Sequence, residues 1–83
     1  MIEPDQTAAQ VEVFFVNTVD GWATAEFDQS GNQIGEAVMS YRKTWAIREA
    51  RAMAGGCIPI KVFSRAGEHL KTLNAATIED ETQ

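Results

Sequence analysis

Alternating apolar and polar residues in the first half of the chain predict three strands joined by short turns. The first strand, Val11 to Val16, is rich in β-branched and aromatic residues. Asn17 to Gly21 follows it and ends in Asp-Gly, a pair typical of hairpin turns. A second strand from Trp22 to about Asp28 and a third from about Gln33 to Met39 are separated by the turn Gln29–Asn32. Both faces of the third strand carry apolar residues, so its inward face stays ambiguous.

The hydrophobic period changes after the third strand. Thr44 to Ala54 places one apolar stripe at helical spacing, made of Ile47, Ala50 and Ala54 with Ala46 and Met53 beside them. Ser40 or Thr44 is the expected N-cap, and Gly55-Gly56 is a strong stop because glycine accepts the left-handed conformation that ends helices. The small alanines let such a helix lie close to a sheet.

The pattern returns to strands after the helix. Ile58 to Ser64 alternates cleanly, Ala66-Gly67 marks a tight turn, and Glu68 to Leu73 is expected to return as a fifth strand. The order β-β-β-α-β-β predicts an α+β domain over residues 10–73, a single antiparallel sheet with one helix packed on one face. Residues 1–9 are expected to form a flexible arm and residues 74–83 a flexible acidic tail.

One helix covers only part of a five-stranded sheet. The other face, to which Phe14, Val16 or Phe63 would point, is therefore expected to stay partly bare. Exposed apolar patches of this kind mark interfaces, which leads us to expect a homodimer formed through the sheet.

Composition places the chain among small globular domains. Its 83 residues suffice for one modest core, and 45% apolar against 23% charged residues is typical of a folded chain. Charge is segregated: residues 1–40 carry seven carboxylates and no Lys or Arg, whereas all seven basic residues lie between Arg42 and Lys71. Such segregation can give a small protein two electrostatic faces.

The sequence predicts a cytoplasmic protein without a membrane partner. The N-terminus has neither the basic nor the apolar region of a secretory signal, and the longest apolar runs are too short to span a bilayer. Cys57 is the only cysteine, so no internal disulfide can form. A net charge of −5 argues against non-specific binding to nucleic acid.

Little in the sequence indicates catalysis. Cys57 and His69 are the only nucleophile and base candidates of the usual kind, and Cys57 follows the glycines at the negative end of the helix dipole, which does not favour a reactive thiolate. One Cys and one His cannot build a structural zinc site, and no phosphate-binding glycine loop precedes the helix. We expect no enzyme activity, no cofactor, no metal and no small-molecule substrate.

One cluster combines aromatic and basic residues: Tyr41, Arg42, Lys43, Trp45, Arg48 and Arg51. Trp, Tyr and Arg dominate protein-binding hot spots, which makes Tyr41, Arg42, Trp45, Arg48 and Arg51, together with Phe63 and Arg65, the predicted partner-binding residues. The same residues fit two other interpretations. In one, Trp45 closes the edge of the core beside solvated arginines; in the other, Trp45 stacks on bases while the arginines neutralise phosphates.

The main prediction is therefore a non-enzymatic module that binds a protein partner or itself. The first alternative is a nucleic-acid-associated regulator that uses the basic helix with Lys61 and Arg65. The second is an acidic inhibitor, of the kind carried by phage and mobile elements, in which carboxylates imitate phosphates. Its candidates are Asp20, Glu26, Asp28 and Glu36, with Glu26 and Glu36 on one face only if the hairpin register brings them there.

From Gly21 to Gly67 the chain resembles the YegP-like domains, a family of small bacterial domains of unknown function. The matching residues are Gly21-Trp22, Ser30-Gly31-Asn32, Ser40-Tyr41-Arg42-Lys43, the helix Thr44–Ala54 and the segment Ile60–Gly67. The resemblance implies a compact sheet-plus-helix module, often paired or duplicated, and brings no catalytic residues. Gly31-Asn32 departs from the Asn-Gly turn that such domains often have.

Overall fold

The computed structural model describes residues 7–74. Its elements are β1 (Gln10–Val16), β2 (Gly21–Phe27), β3 (Gln33–Ser40), α1 (Lys43–Ala54), β4 (Ile60–Phe63) and β5 (His69–Leu73). The predicted order is confirmed, and the ends of the elements lie within two residues of the predicted ones. The predicted arm and tail lie outside the described residues, apart from residues 7–9 and 74.

The five strands form one sheet in the order β3-β2-β1-β4-β5, which confirms the α+β class with a single sheet and one helix. Three of the strand pairs are antiparallel, as predicted, but β1 and β4 run parallel. The helix explains this pair. It carries the chain back to the end of the sheet where β3 began, so β4 runs in the direction of β3 and hence of β1. The sheet is therefore mixed.

The helix α1 packs mainly on β1 and β2. Its buried residues are Ala46, Ala50 and Ala54. The predicted stripe is therefore confirmed at Ala50 and Ala54, whereas Ile47 is only partly buried and Ala46 is buried instead. The core joins them to Val11, Val13, Trp22, Ile60, Val62 and Leu73, with Phe15, Ile47, Met53 and Ile58 packed against it. Each buried Val or Ile stabilises the fold by roughly 1.5–3 kcal/mol relative to an exposed one, so these few side chains carry most of the driving force.

One buried polar contact links the helix to the sheet. The Thr24 hydroxyl donates a hydrogen bond of 2.8 Å to the carbonyl oxygen of Ala46, and Thr24 is fully buried. The alanine stripe lets the helix approach closely enough for this bond, and the bond in turn fixes which turn of the helix lies over β2.

The two ends of α1 differ in how they are capped. Gly55 is left-handed (φ 60°, ψ 21°) and its N–H donates to the Arg51 carbonyl oxygen at 3.0 Å, which confirms the predicted C-terminal stop. The predicted N-caps Ser40 and Thr44 are wrong, because the N-cap is Arg42 in extended conformation, without a side-chain hydrogen bond. Ser40 is instead the last residue of β3 and Thr44 lies inside the first helical turn.

Two cations close the core at the end where α1 begins. The rings of Phe15 and Trp22 meet edge to face at 5.2 Å. The Lys43 ammonium lies 5.4 Å from the Trp22 ring centre and the Arg65 guanidinium 4.3 Å from that of Phe15. Arg65 also pairs with Asp20 at 3.7 Å. The charged groups thus cover aromatic surface that would otherwise face water.

Both edge strands are interrupted by register shifts. Thr24 and Glu26 are two residues apart on β2, but their partners Val38 and Ile34 are four apart on β3, with Gly35 at φ 71° between them. A second shift on β5 lies opposite Val62 and Phe63. Bulges of this kind twist an edge and hinder pairing with a further strand.

The face of the sheet away from α1 carries half-buried apolar residues, as predicted. Val13 pairs with Thr24, and Thr24 contacts the helix, so both side chains lie on the helix side of the sheet. Phe14, the next residue of β1, therefore lies on the opposite side. Phe14 meets Phe27 edge to face at 6.5 Å, and Val16 and Phe63 are also only partly buried. We call this surface, with Phe14, Val16, Phe27 and Phe63, the open face.

Replacing Thr24 with Val tests the helix–sheet contact. The substitution keeps the volume but removes the donor to Ala46, so we expect the free energy of unfolding to fall by about 1 kcal/mol. Urea unfolding followed by circular dichroism measures it. Thr18→Val, at an exposed turn position, is the matched control and should change little. Equal stability of the Thr24 variant and the wild type would contradict this role.

Replacing Gly55 with Ala tests the helix stop. A Cβ there meets nothing within 4 Å, so the whole cost comes from the left-handed backbone. We expect a loss of about 1 kcal/mol in unfolding free energy. Gly55→Asn should lose clearly less, since Asn tolerates this conformation better. If both variants lose the same amount, backbone strain is not the cause.

Candidate functional site

The exposed large hydrophobic side chains are concentrated at one corner of the molecule. Among residues 7–74 they are Val19, Met39, Tyr41, Trp45 and Leu70. The first four lie where the β1–β2 turn, the end of β3 and the first turn of α1 meet, and we call them the corner patch. Tyr41 is 86% exposed and Trp45 51%. An isolated exposed apolar residue needs no explanation, but four together do.

Chain connectivity builds this corner. Only Tyr41 and Arg42 separate β3 from α1, so the end of the strand and the start of the helix stay adjacent. Gly21 allows the β1–β2 turn to approach them, because a Cβ there would lie 3.2 Å from the Ser40 carbonyl oxygen and 3.6 Å from the Met39 Cε. The corner patch is thus fixed by backbone packing on both sides.

Two shallow hollows meet at Met39 and Tyr41. One, of about 380 Å³, is lined by Val16, Val19, Gly21, Met39, Ser40 and Tyr41. The other, of about 460 Å³, lies between β3 and the helix and is lined by Val38, Met39, Ser40, Tyr41, Trp45, Arg48 and Glu49. The corner patch therefore offers an indented apolar surface with polar residues at its rim, the arrangement found at protein-binding sites.

A row of arginines continues from the corner patch along the helix, and we call Arg42, Arg48 and Arg51 the arginine row. The Arg42 guanidinium lies 5.7 Å from the Trp45 ring centre. Arg48 lines the hollow beside Trp45 and also a third hollow of about 230 Å³ with Thr44, Ile47 and Arg51. In the described part of the chain, no carboxylate pairs with any of the three guanidinium groups.

Arg51 has an unusual environment. Its Nε is buried and has no hydrogen-bond partner among residues 7–74. Buried N–H donors of a charged group are nearly always paired in folded proteins. The rest of the Arg51 side chain lines the hollow that it shares with Arg48.

The seven predicted partner-binding residues separate into three groups. Tyr41, Arg42, Trp45 and Arg48 come together at the corner, and Arg51 follows on the same helix. Phe63 lies on the open face, where its ring is 5.5 Å from that of His69. Arg65 lies in the β4–β5 turn with Phe15 and Asp20. In the sequence, Phe63 and Arg65 share only their residue types with the other five.

Val19 and Met39 belong to the corner patch but were not among the predicted site residues. Val19 lies in the turn that sequence analysis identified only by its Asp-Gly pair, and Met39 lies on the strand whose inward face stayed ambiguous. The available signal was the apolar run Ala37-Val38-Met39 just before the end of that strand. Its direction became clear only from the pairing of Ala23 with Met39.

The basic surface of the first alternative is not assembled. Lys61 pairs in register with Glu12, next to the buried Val11 and Val13, and so lies on the open face, away from the helix. Arg65 is engaged by Asp20. The arginine row therefore has no basic continuation from these two residues.

The carboxylates of the second alternative are also separated. Asp20 lies at the β1–β2 turn, while Asp28 lies at the other end of β2 and accepts the backbone N–H groups of Ser30 and Asn32. Glu26 pairs with Ile34, and Glu36 lies inside the β3 register shift. The register thus does not pair Glu26 with Glu36 across the two strands. The Asp28 carboxylate instead closes the Gly31-Asn32 turn.

Cys57 and His69 lie near opposite ends of β4. Cys57 precedes the strand and is exposed, while His69 pairs with the last strand residue, Phe63, and its Nε2 lies 2.9 Å from the Thr72 hydroxyl. Among residues 7–74, no group of three or more His, Cys, Asp or Glu side chains lies close enough together to hold a metal ion. Within the same residues, α1 is too short and too polar to cross a membrane.

Comparison of the chain with protein-family models, with curated proteins and with solved structures gives no match. The resemblance to YegP-like domains therefore stays a prediction. The corner patch, the arginine row and the open face are the features that bear on function.

Proposed function

We propose that this protein is a small non-enzymatic protein-interaction module that acts in the cytoplasm and binds its partner through the corner patch. The observation that carries the proposal is the gathering of Val19, Met39, Tyr41 and Trp45 at one corner. Exposing these side chains to water together is unfavourable, and a partner that covers them gains free energy by burying their apolar surface. Trp and Tyr flanked by Arg are the residue types that dominate binding energy at protein interfaces.

Two observations favour a protein over a nucleic acid. The net charge is −5, Lys61 lies on the open face, and Arg65 is paired with Asp20. Affinity for nucleic acid depends on many simultaneous phosphate contacts, which three arginines on one helix do not supply. The indented apolar surface beside them is instead suited to a protein side chain.

Self-association through the open face is a second candidate, and here the occupant is a second copy of the chain. Glu12 and Lys61 lie side by side on this face with opposite charges. In the described part of the chain Lys61 has no carboxylate partner, while Glu12 accepts a hydrogen bond from the Gln10 amide. A two-fold axis would place each Glu12 opposite Lys61 of the other copy and cover the half-buried phenylalanines.

Tyr41→Ser with Trp45→Ser tests the corner patch. We compare affinity capture from nuclease-treated lysate by the wild type, by this double variant and by Leu70→Ser, an exposed apolar residue elsewhere. We expect a protein that the wild type and the Leu70 variant retain and that the double variant loses at least about tenfold. Circular dichroism checks that all three chains are folded. Identical capture by all three, or capture that disappears with nuclease, would contradict the proposal.

A charge swap tests the homodimer. We expect the wild type to sediment as a dimer, Lys61→Glu to raise the dimer dissociation constant about tenfold, and Glu12→Lys with Lys61→Glu to restore it. Arg48 and Arg51 lie on α1, on the side of the sheet opposite the open face. Arg48→Glu with Arg51→Glu should therefore leave the dimer dissociation constant unchanged. A wild type that sediments as a monomer, or a swap that restores nothing, would refute this contact.

A further inference from the structure

The arginine row indicates the chemistry of the partner that the corner patch would bind. Arg48 lines both the hollow at Trp45, which Glu49 also lines, and the basic hollow formed with Thr44 and Arg51, so its side chain lies between the two. A segment that crosses Arg48 therefore contacts both hollows. This inference rests on the proposed function, because it specifies the partner at the same site.

The basic hollow is suited to a carboxylate. Arg48 and Arg51 are three residues apart on one helix and hence neighbours on its surface, with the Thr44 side chain one turn before Arg48. Neither guanidinium has a carboxylate partner in the described residues. A carboxylate accepts from guanidinium groups through two oxygens and so fits between the two arginines.

The spacing sets how the partner's residues are arranged. Trp45 lies three residues before Arg48 and six before Arg51 on α1, which corresponds to rises of about 4.5 and 9 Å and to rotations of about 60° and 120° around the helix axis. An extended chain advances about 3.3 Å per residue, so about three residues that cross the helix obliquely reach from Trp45 to the space between the two arginines. The register shift in β3 and the exposed Glu36 within it hinder addition of a full strand at that edge, so side chains rather than strand pairing make the contact.

We propose that the corner patch and the arginine row together bind an extended acidic segment of another protein. The segment places a large apolar side chain in the hollow at Trp45 and, about three residues away, an Asp or Glu between Arg48 and Arg51. Charge complementarity favours this occupant. The arginine row has only Glu49 as an acidic neighbour along the helix, whereas a basic segment would meet three unpaired guanidinium groups.

Selection from a phage-displayed library of random peptides against the full chain tests the proposal. We expect enriched peptides to carry an aromatic or large aliphatic residue with Asp or Glu about three positions away. Arg48→Gln with Arg51→Gln keeps polar side chains and a similar helix propensity but removes both charges. This variant should weaken a selected peptide about tenfold, and replacing the peptide's Asp or Glu by Asn or Gln should weaken it equally.

Combining the two changes should cost little more than either alone, because both remove the same contact. Arg65→Gln is the matched control, an exposed arginine outside the arginine row, and should leave peptide affinity unchanged. Lack of enrichment, or enriched peptides without acidic residues, would overturn the acidic segment. If an oligonucleotide binds and displaces the peptide, the arginine row is a nucleic-acid site instead. If the Arg48/Arg51 variant changes its oligomeric state, the arginine row contacts a second copy of the chain instead.

The same peptides separate this inference from the proposed function. Apolar peptides that lose affinity with Tyr41→Ser and Trp45→Ser but not with the Arg48/Arg51 variant would uphold the corner patch and overturn the acidic segment. Peptides that bind the serine double variant as well as the wild type would overturn the corner patch itself.

Discussion

The close packing of one alanine-faced helix on two central strands determines most of this structure. Ala46, Ala50 and Ala54 are small enough for the helix backbone to come within hydrogen-bonding distance of Thr24. A larger residue at these positions would lift the helix and break that bond. Because the sheet has five strands and only one helix, this contact also determines what stays uncovered: the outer side of the helix, the open face and the two edges.

The corner patch is a consequence of the same contact. To lie over β1 and β2, the helix must start directly where β3 ends, and the two-residue connection leaves no room to bury Tyr41. Trp45 follows on the side of the helix that faces β3, where the sheet ends and no further strand covers it. The exposure of these aromatic residues is therefore built into the topology. It persists unless another molecule covers them.

Local patterns predicted the elements well because each rests on nearby residues. The alanine spacing located the helix, and Gly55 located its end. Features that depend on contacts between distant residues were harder to predict from the sequence. The parallel pairing of β1 with β4 follows from where the helix crosses the sheet. Ser40 does not cap the helix because it pairs with Trp22 as the last residue of β3. Four of the seven predicted site residues, Tyr41, Arg42, Trp45 and Arg48, lie together because they are neighbours in sequence, whereas the places of Phe63 and Arg65 depend on the strand register.

Charge segregation along the chain does not become charge segregation on the surface. All seven basic residues lie within one stretch of sequence, yet Lys61 lies on the open face and Arg65 in the turn beside Asp20. Arg42, Arg48 and Arg51 form the arginine row, and within residues 7–74 no carboxylate pairs with them. A basic stretch of sequence thus becomes a narrow strip on an acidic protein. We expect such a strip to discriminate by geometry, since a partner must bring an apolar side chain to Trp45 and a carboxylate to Arg48 and Arg51 at matching separation.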